Sequence, residues 1–309
     1  VQILWFMPIT PISEKGRLGS LGSYYAIRNY TEVNPEFGTM EDFKTLVIAA
    51  HEMSFKIIID FVADHTGNDH PWLTEHPEFY VEDENKDPIH PHGWSDVSLL
   101  NYEVPELWNY MIDVLKFWVE EVDLDGFRCD MAHLVKLDFW IQAKKKLSKL
   151  KGDLFWLGEC EDPEYHKVFD ASYTWRWMHA SQEFYNQRMN LQSLITVLYK
   201  SVTEFPCNAF RVYFTSNHDE NSWNGTEYEK YGDAVQLFAV FYCTWNGVPM
   251  IYSGQELPNK KRLKFFDKDQ IDWNGNFELH GFYKTLLTLK SNNKSLRAGD
   301  ANVLTQIVS

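Results

Sequence analysis

No apolar run in the chain reaches the roughly 18 residues that a membrane-spanning helix needs, so the sequence offers no transmembrane segment. Cysteine is scarce. Cys129, Cys160, Cys207 and Cys243 are the only four, and none stands in a CxxC pair, which leaves too little for a disulfide framework or a zinc site. All four are expected to be free and buried. Positive charge is in deficit, with 29 Lys and Arg against 44 Asp and Glu and a net charge of -15. Such a field repels phosphate backbones and anionic lipid, so nucleic acid is not an expected partner. The opening VQILWF carries no basic segment or small-residue cleavage site, so any export signal lies outside this sequence. Internal repeats and low-complexity tracts are missing as well.

Aromatic residues are abundant instead, at 16% of 309 residues with 12 Trp, 16 Tyr and 21 Phe, a load beyond ordinary core packing, so part of it is expected to line a cleft. Short apolar runs alternate with longer helical patterns, the signature of βα units around a parallel sheet. Seven runs read as strands: VQILWFMP at the start, KIIIDFVA at 56–63, DGFRCD at 125–130, DLFWLGE at 153–159, KVFDASY at 167–173, RVYFTS at 211–216 and VPMIYS at 248–253. Helices are predicted from Met40 to Ser54, capped by Thr39 with Asp42 three residues on, and from Pro105 to Val122. In the second, Leu107, Met111, Val114, Leu115, Trp118 and Val122 fall on one stripe. Further helices are predicted over 137–150, 181–203, 231–245 and 278–290. The expected fold class is α/β, a (β/α)8 TIM barrel lacking its first strand, with the catalytic barrel in residues 1–65 and 102–296. Residues 66–101, rich in His, Pro, Asp, Glu and Trp, follow the third barrel strand as an insertion too long for an ordinary loop and are expected to shape the cleft. Residues 297–309 are expected to begin a C-terminal β domain.

Barrel chemistry sits at the C-terminal ends of strands, and here four apolar runs finish in acids or histidines: IIIDFVADH, DGFRCDMAH, FWLGEC and FTSNHDE. In DGFRCDMAH, strand alternation aims Phe127, Cys129 and Met131 one way and Gly126, Arg128 and Asp130 the other. A guanidinium beside a carboxylate favours the ionised acid, which suits a nucleophile; a purely structural ion pair has the same pattern. Asp130 and Glu159 end consecutive strands about 4.8 Å apart. Their carboxyl groups can approach the roughly 5–5.5 Å of a retaining glycosidase, with Asp130 as nucleophile and Glu159, its pKa raised after the apolar FWLG, as acid then base.

With these residues in view, the sequence resembles the α-amylase family of glycoside hydrolases. The family's four motifs appear in order as DFVADH (60–65), GFRCDMAH (126–133), LGEC (157–160) and FTSNHD (214–219), and ILWFMPI and GVPMIYSGQE fit two further strands. The resemblance spans almost the whole chain. It implies Asp130 as nucleophile, Glu159 as acid/base and Asp219 as the third acid orienting sugar hydroxyls, with Arg128 holding the nucleophile. It also implies His65 and His218 on the sugar in the cleavage subsite, Asp60 as the first-motif aspartate among the substrate-binding residues, and Tyr25 stacking on that sugar. Trp72, Trp94, Trp175, Trp177 and Trp223 fall in expected loops on the catalytic side, where indoles stack on glucose rings; Trp94 is the preferred candidate.

The chemistry requires no cofactor. Asp64 stands where many relatives carry an asparagine that helps hold a structural calcium, so Asp64 is the candidate ligand for such an ion, although no acidic DxDxDG-type loop accompanies it. His133 follows Asp130 by three residues in place of a longer Lys-His ending. The implied activity is retaining hydrolysis of α-1,4-glucosidic bonds in starch-like glucans and maltooligosaccharides. A transglycosylase or α-glucosidase of the same family, or an amylase-like module that binds without catalysis, fits the same motifs. A polymeric substrate favours a secreted or periplasmic location; oligomeric state is left open.

Overall fold

Alternating buried strands and amphipathic helices run through the computed structural model, which describes residues 1–275 and 277–300. The chain divides into two units, one ending at Asp170 and one starting at Ala171. The expected C-terminal β domain lies, from residue 301 on, outside the described residues.

In the first unit, β1 (Ile3–Phe6) leads to helix α1 (Met40–Glu52) and then to β2 (Lys56–Val62). Helix α1 starts where Thr39 caps it. The Thr39 hydroxyl accepts the Asp42 N–H at 3.2 Å while the Asp42 carboxylate accepts the Thr39 N–H at 2.8 Å, satisfying two donors that a helix start leaves open. An antiparallel pair, β3 (His65–Gly67) and β4 (Val97–Leu99), brackets residues 68–96, which include the short helix α2 (Trp72–Glu75). Helix α3 (Pro105–Val122), strand β5 (Gly126–Asp130), helix α4 (Leu137–Leu147) and strand β6 (Phe155–Gly158) complete the unit.

Strands β1, β2, β5 and β6 are parallel and pair in that order. All six stripe residues of α3 are buried, each worth about 1.5–3 kcal/mol against exposure. Behind the strands, Phe61, Phe127, Trp140, Trp156 and Phe169 form a run of ring contacts 5.4–6.3 Å apart. Much of the aromatic surplus is therefore core: Trp118, Trp140, Trp156 and Trp177 are each buried to 1% exposure or less. Gly126 is required between β5 and β6, because a Cβ there would stand 1.9 Å from the Phe155 carbonyl oxygen.

In the second unit, β7 (Ala171–Tyr173), β8 (Phe210–Tyr213) and β9 (Val248–Pro249) pair in parallel. The helix predicted over 181–203 is two helices, α5 (Trp175–Tyr185) and α6 (Leu191–Thr203). The break is local: Gln187 turns left-handed at φ 59°, and Asn190 caps the second helix by accepting the Ser193 N–H at 2.9 Å. The helix predicted over 231–245 is α8 (Val235–Thr244), and a short separate helix, α7 (Glu227–Tyr231), precedes it and ends at Gly232 with φ 49°. Helix α9 (His280–Asn292) follows. Seven parallel strands alternating with helices are the architecture of a (β/α)8-type barrel domain. Among the described residues, no helix is long and apolar enough to cross a membrane. Cys129 and Cys243 are free and buried, and Cys160 is buried; Cys207 is free but exposed, correcting the expectation for that residue.

Candidate active site

Parallel register brings the first unit's acids together at one end of its sheet. Asp60 pairs in register with Arg128, Val62 with Asp130, and Cys129 with Gly158, so Glu159, whose N–H donates to the Cys129 carbonyl at 3.0 Å, follows directly on the rung beside Asp130. The Arg128 guanidinium is completely buried and serves three carboxylates: Asp60 at 2.9 Å and Asp130 at 2.6 Å through Nη1, and Glu159 at 2.9 Å through Nη2. The Trp5 ring lies under its Cζ at 5.0 Å, a cation–π contact that adds a second low-dielectric wall. The side chains of Asp130 and Glu159 each keep 9% exposure, while that of Asp60 keeps none. Two of the three acids therefore reach solvent.

Three carboxylates around one cation leave an excess of negative charge. Burial raises the Asp130 carboxyl above the ordinary aspartate value; Asp60 pushes the same way, and Arg128 and His65 pull back. Arg128 was expected to lower it. The ion pair is present, but the cost of desolvation and of the neighbouring Asp60 charge outweighs it.

Glu159 is held at both oxygens, Oε1 by Arg128 and Oε2 by the Met131 N–H at 2.9 Å. That amide points at Glu159 because Met131 turns left-handed, at φ 41° and ψ 40°, rather than continuing the alternation of Phe127 and Cys129. Such a backbone is rare for a residue with an unbranched bulky side chain, and nothing in the pattern GFRCDMAH announces it.

The DFVADH segment is fixed by tyrosines. Tyr30 donates to the Val62 carbonyl at 2.8 Å and the His65 carbonyl at 3.1 Å, and Tyr102 donates to the Ala63 carbonyl at 2.8 Å. The Tyr25 hydroxyl donates to Asp60 Oδ2 at 3.1 Å, with the side chain nearly buried. His65 is buried, and its Nδ1 lies 3.5 Å from the Asp64 carboxylate. Trp94 stands edge-on to the His65 ring at 5.8 Å with 39% of its surface exposed. Tyr25, Asp60, Arg128, Asp130 and Glu159 are thus linked by direct contacts, and His65 and Trp94 by their own ring contact, all within one unit. Asp64 is buried, and the described residues contain no group of three or more His, Cys, Asp or Glu side chains arranged to hold a metal ion.

In the second unit, the end of β8 carries His218 and Asp219. His218 is buried with Nε2 3.2 Å from Asp219 Oδ2, and the Asp219 side chain is 35% exposed. A buried polar cluster beneath them was not foreseen. Thr215 and Gln255 both donate to Glu227, and Lys230 donates to Glu220 at 2.7 Å. Burial raises the Glu227 carboxyl, against the opposing pull of Thr215, Lys230 and Gln255. In sequence, Thr215 and Glu220 lie within FTSNHDE and Gln255 within GVPMIYSGQE, while Glu227 belongs to the TEYE capping box of α7. Of the other tryptophans considered for sugar stacking, Trp177 is 1% exposed and packs on Tyr213 and Phe241. Trp72 is enclosed by Tyr30, His70, Phe79 and Tyr110, and Trp175 stacks on Tyr173.

Comparison with known proteins identifies the family of the chain. The family model described as alpha amylase, catalytic domain, matches residues 1–98 and 92–298. A crystal structure of an alpha-amylase from Lactobacillus plantarum superposes with a TM-score of 0.91 at 33% identity, covering 97% of this chain and 74% of that one. A maltogenic alpha-amylase, AmyB, from Thermotoga neapolitana gives 0.90 at 33% identity, covering 98% and 70%. Alpha-amylase 3 of Dictyoglomus thermophilum is 28% identical over 301 residues, 83% of this chain and 56% of that protein. The chain spans about half the length of the curated relatives it matches.

Proposed function

We propose that this chain, which belongs to the α-amylase family, is the catalytic part of a retaining glycosidase that hydrolyses α-1,4-glucosidic bonds in starch-like glucans and maltooligosaccharides. The observation that carries this reading is one buried guanidinium gripping two almost buried carboxylates, Asp130 and Glu159, at the ends of paired strands. Asp130 attacks the anomeric carbon while a protonated Glu159 gives its proton to the departing glycosidic oxygen. The covalent glycosyl ester on Asp130 is then hydrolysed by a water that Glu159 deprotonates.

Electrostatics support the same reading. The transition state carries oxocarbenium-like positive charge, and a buried site with three carboxylates on one arginine is preorganised for it. Tyr25 and Arg128 fix Asp60 and Asp130 before substrate arrives, so little reorganisation accompanies the chemistry. Asp219, more exposed than its buried neighbour His218, is proposed to bind sugar hydroxyls as the third acid, and His65 and His218, each in its own motif, to donate to sugar hydroxyls. Trp94 is proposed to offer its exposed indole to a glucose ring. No step uses a metal or a cofactor.

The test is product analysis on maltoheptaose with the wild type and Asp130→Asn. Shorter maltooligosaccharides are expected from the wild type, and a loss in kcat of at least about 10⁴-fold from the variant, the scale of removing a covalent nucleophile. Products longer than the substrate would assign transfer instead, and glucose alone an α-glucosidase. A folded wild type that binds but never turns over would identify a non-catalytic binding module.

A further inference from the structure

Trp223 is the most exposed of the five tryptophans considered for stacking, at 53%, and it does not stand alone. Its ring lies 5.2 Å from Phe265 and 5.7 Å from Phe266, which are themselves 5.1 Å apart. The three partly exposed rings form one small aromatic surface.

Two connections make that surface a built feature of the second unit. Trp223 sits in the π-helical turn Glu220–Asn224 that begins immediately after Asp219. This turn is pinned from below by the buried Lys230–Glu220 pair and by the Asn224 amide on Glu220 at 2.8 Å. The segment carrying the two phenylalanines is tied to the same turn. Asn221 accepts the Leu263 N–H at 2.8 Å and donates to the Lys261 carbonyl at 3.2 Å, and Arg262 pairs with Glu229 at 2.8 Å. Trp223, Phe265 and Phe266 are therefore held in fixed relation to Asp219.

We infer that Trp223, backed by Phe265 and Phe266, is a stacking platform for a glucosyl unit of the α-glucan chain beyond the residues at the point of cleavage. The inference rests on the glucan-cleaving reading of the site. A pyranose presents an apolar C–H face and a polar rim. That matches an exposed indole set against two phenylalanines that the chain places between the polar residues Lys264 and Asp267. Three half-exposed rings fall well short of the roughly 800 Å² per partner of a stable protein interface, while a ligand of one or two sugar rings is the right size for them. Continuity with Asp219 through a single turn points to the substrate chain rather than a separate ligand.

Titration calorimetry on the full chain carrying Asp130→Asn, with maltotriose and maltoheptaose as probes, tests the platform. Adding Trp223→Ala is expected to weaken maltoheptaose roughly tenfold, the effect of one stacked ring, and to leave maltotriose unchanged; Trp223→Phe restores most of the loss. Equal weakening at both lengths, or none, overturns the platform while the glucan-cleaving reading stands. Unchanged binding with an altered oligomeric state or melting temperature in Trp223→Ala overturns it in favour of a protein contact. If neither sugar binds the Asp130→Asn chain at all, the functional reading fails and the platform with it.

Discussion

The two ends of β5 carry the same residue type in opposite circumstances. Asp125, just before the strand, is buried at 3% exposure and surrounded by donors: His51 Nε2 at 2.7 Å, Lys56 Nζ at 2.9 Å, the Ile57 N–H at 2.9 Å and Lys151 Nζ at 3.3 Å. Burial works against its ionised form, yet these donors bring its pKa down to about 2. Asp130, at the other end, shares one arginine with two further acids, and burial raises it. One end is charge-satisfied and stabilises the fold. The other holds repelling acids that the fold must constrain, which is where barrel enzymes keep their chemistry.

Crossed substitutions sharpen this contrast most. Asp130→Asn abolishes turnover by the factor given above while melting at or above the wild-type temperature, because it removes one acid from an over-acidic cluster. Asp125→Asn behaves the opposite way, losing about 2 kcal/mol of stability in urea titrations and keeping the wild-type kcat wherever it is folded. Half-exposed Lys56 limits that loss through solvent screening. Equal destabilisation by both substitutions would erase the distinction.

The pH dependence of stability sharpens it further. Asp125 has a depressed folded-state pKa, so its contribution is present above the unfolded value near 4 and is lost as pH falls towards 2. The total is about 2 kcal/mol. Asp130 has a raised folded-state pKa, so its contribution is present only at acid pH and is lost as pH rises. Urea titrations at pH 5 and pH 2.5 should show the acid loss in the wild type and a clearly smaller one in Asp125→Asn. A smaller effect belongs to Tyr25→Phe, which removes one hydrogen bond from Asp60. It is expected to lower kcat/KM about five- to tenfold; an unchanged value would mean that Asp60 needs no fixing.

Much of this was legible in the residues, for physical reasons. Strand ends were readable because apolar runs closing in FVADH, RCD and LGEC break their pattern abruptly, and the α3 stripe because six apolar positions repeat at helical spacing. The Asp125 node was not legible, since its partners lie up to 74 positions away, on α1, at the start of β2 and after α4, and only the folded packing brings them close. Nor was the left-handed Met131, which gives Glu159 a backbone donor that no side-chain pattern encodes. Trp177 had the composition of a sugar platform but faces Tyr213 and Phe241 from inside α5. The break between α5 and α6 hung on local capping by Asn190, weaker in the pattern than the apolar spacing that ran across it.

The most direct test of the central claim is to locate the covalent sugar. With Glu159→Gln, α-maltosyl fluoride can still glycosylate the nucleophile because fluoride leaves without a proton, while the missing base stalls hydrolysis. Peptide mass spectrometry after acid quenching should find one maltosyl ester, on Asp130. An ester on another residue, or none while the fluoride is consumed at a measurable rate, would contradict the account.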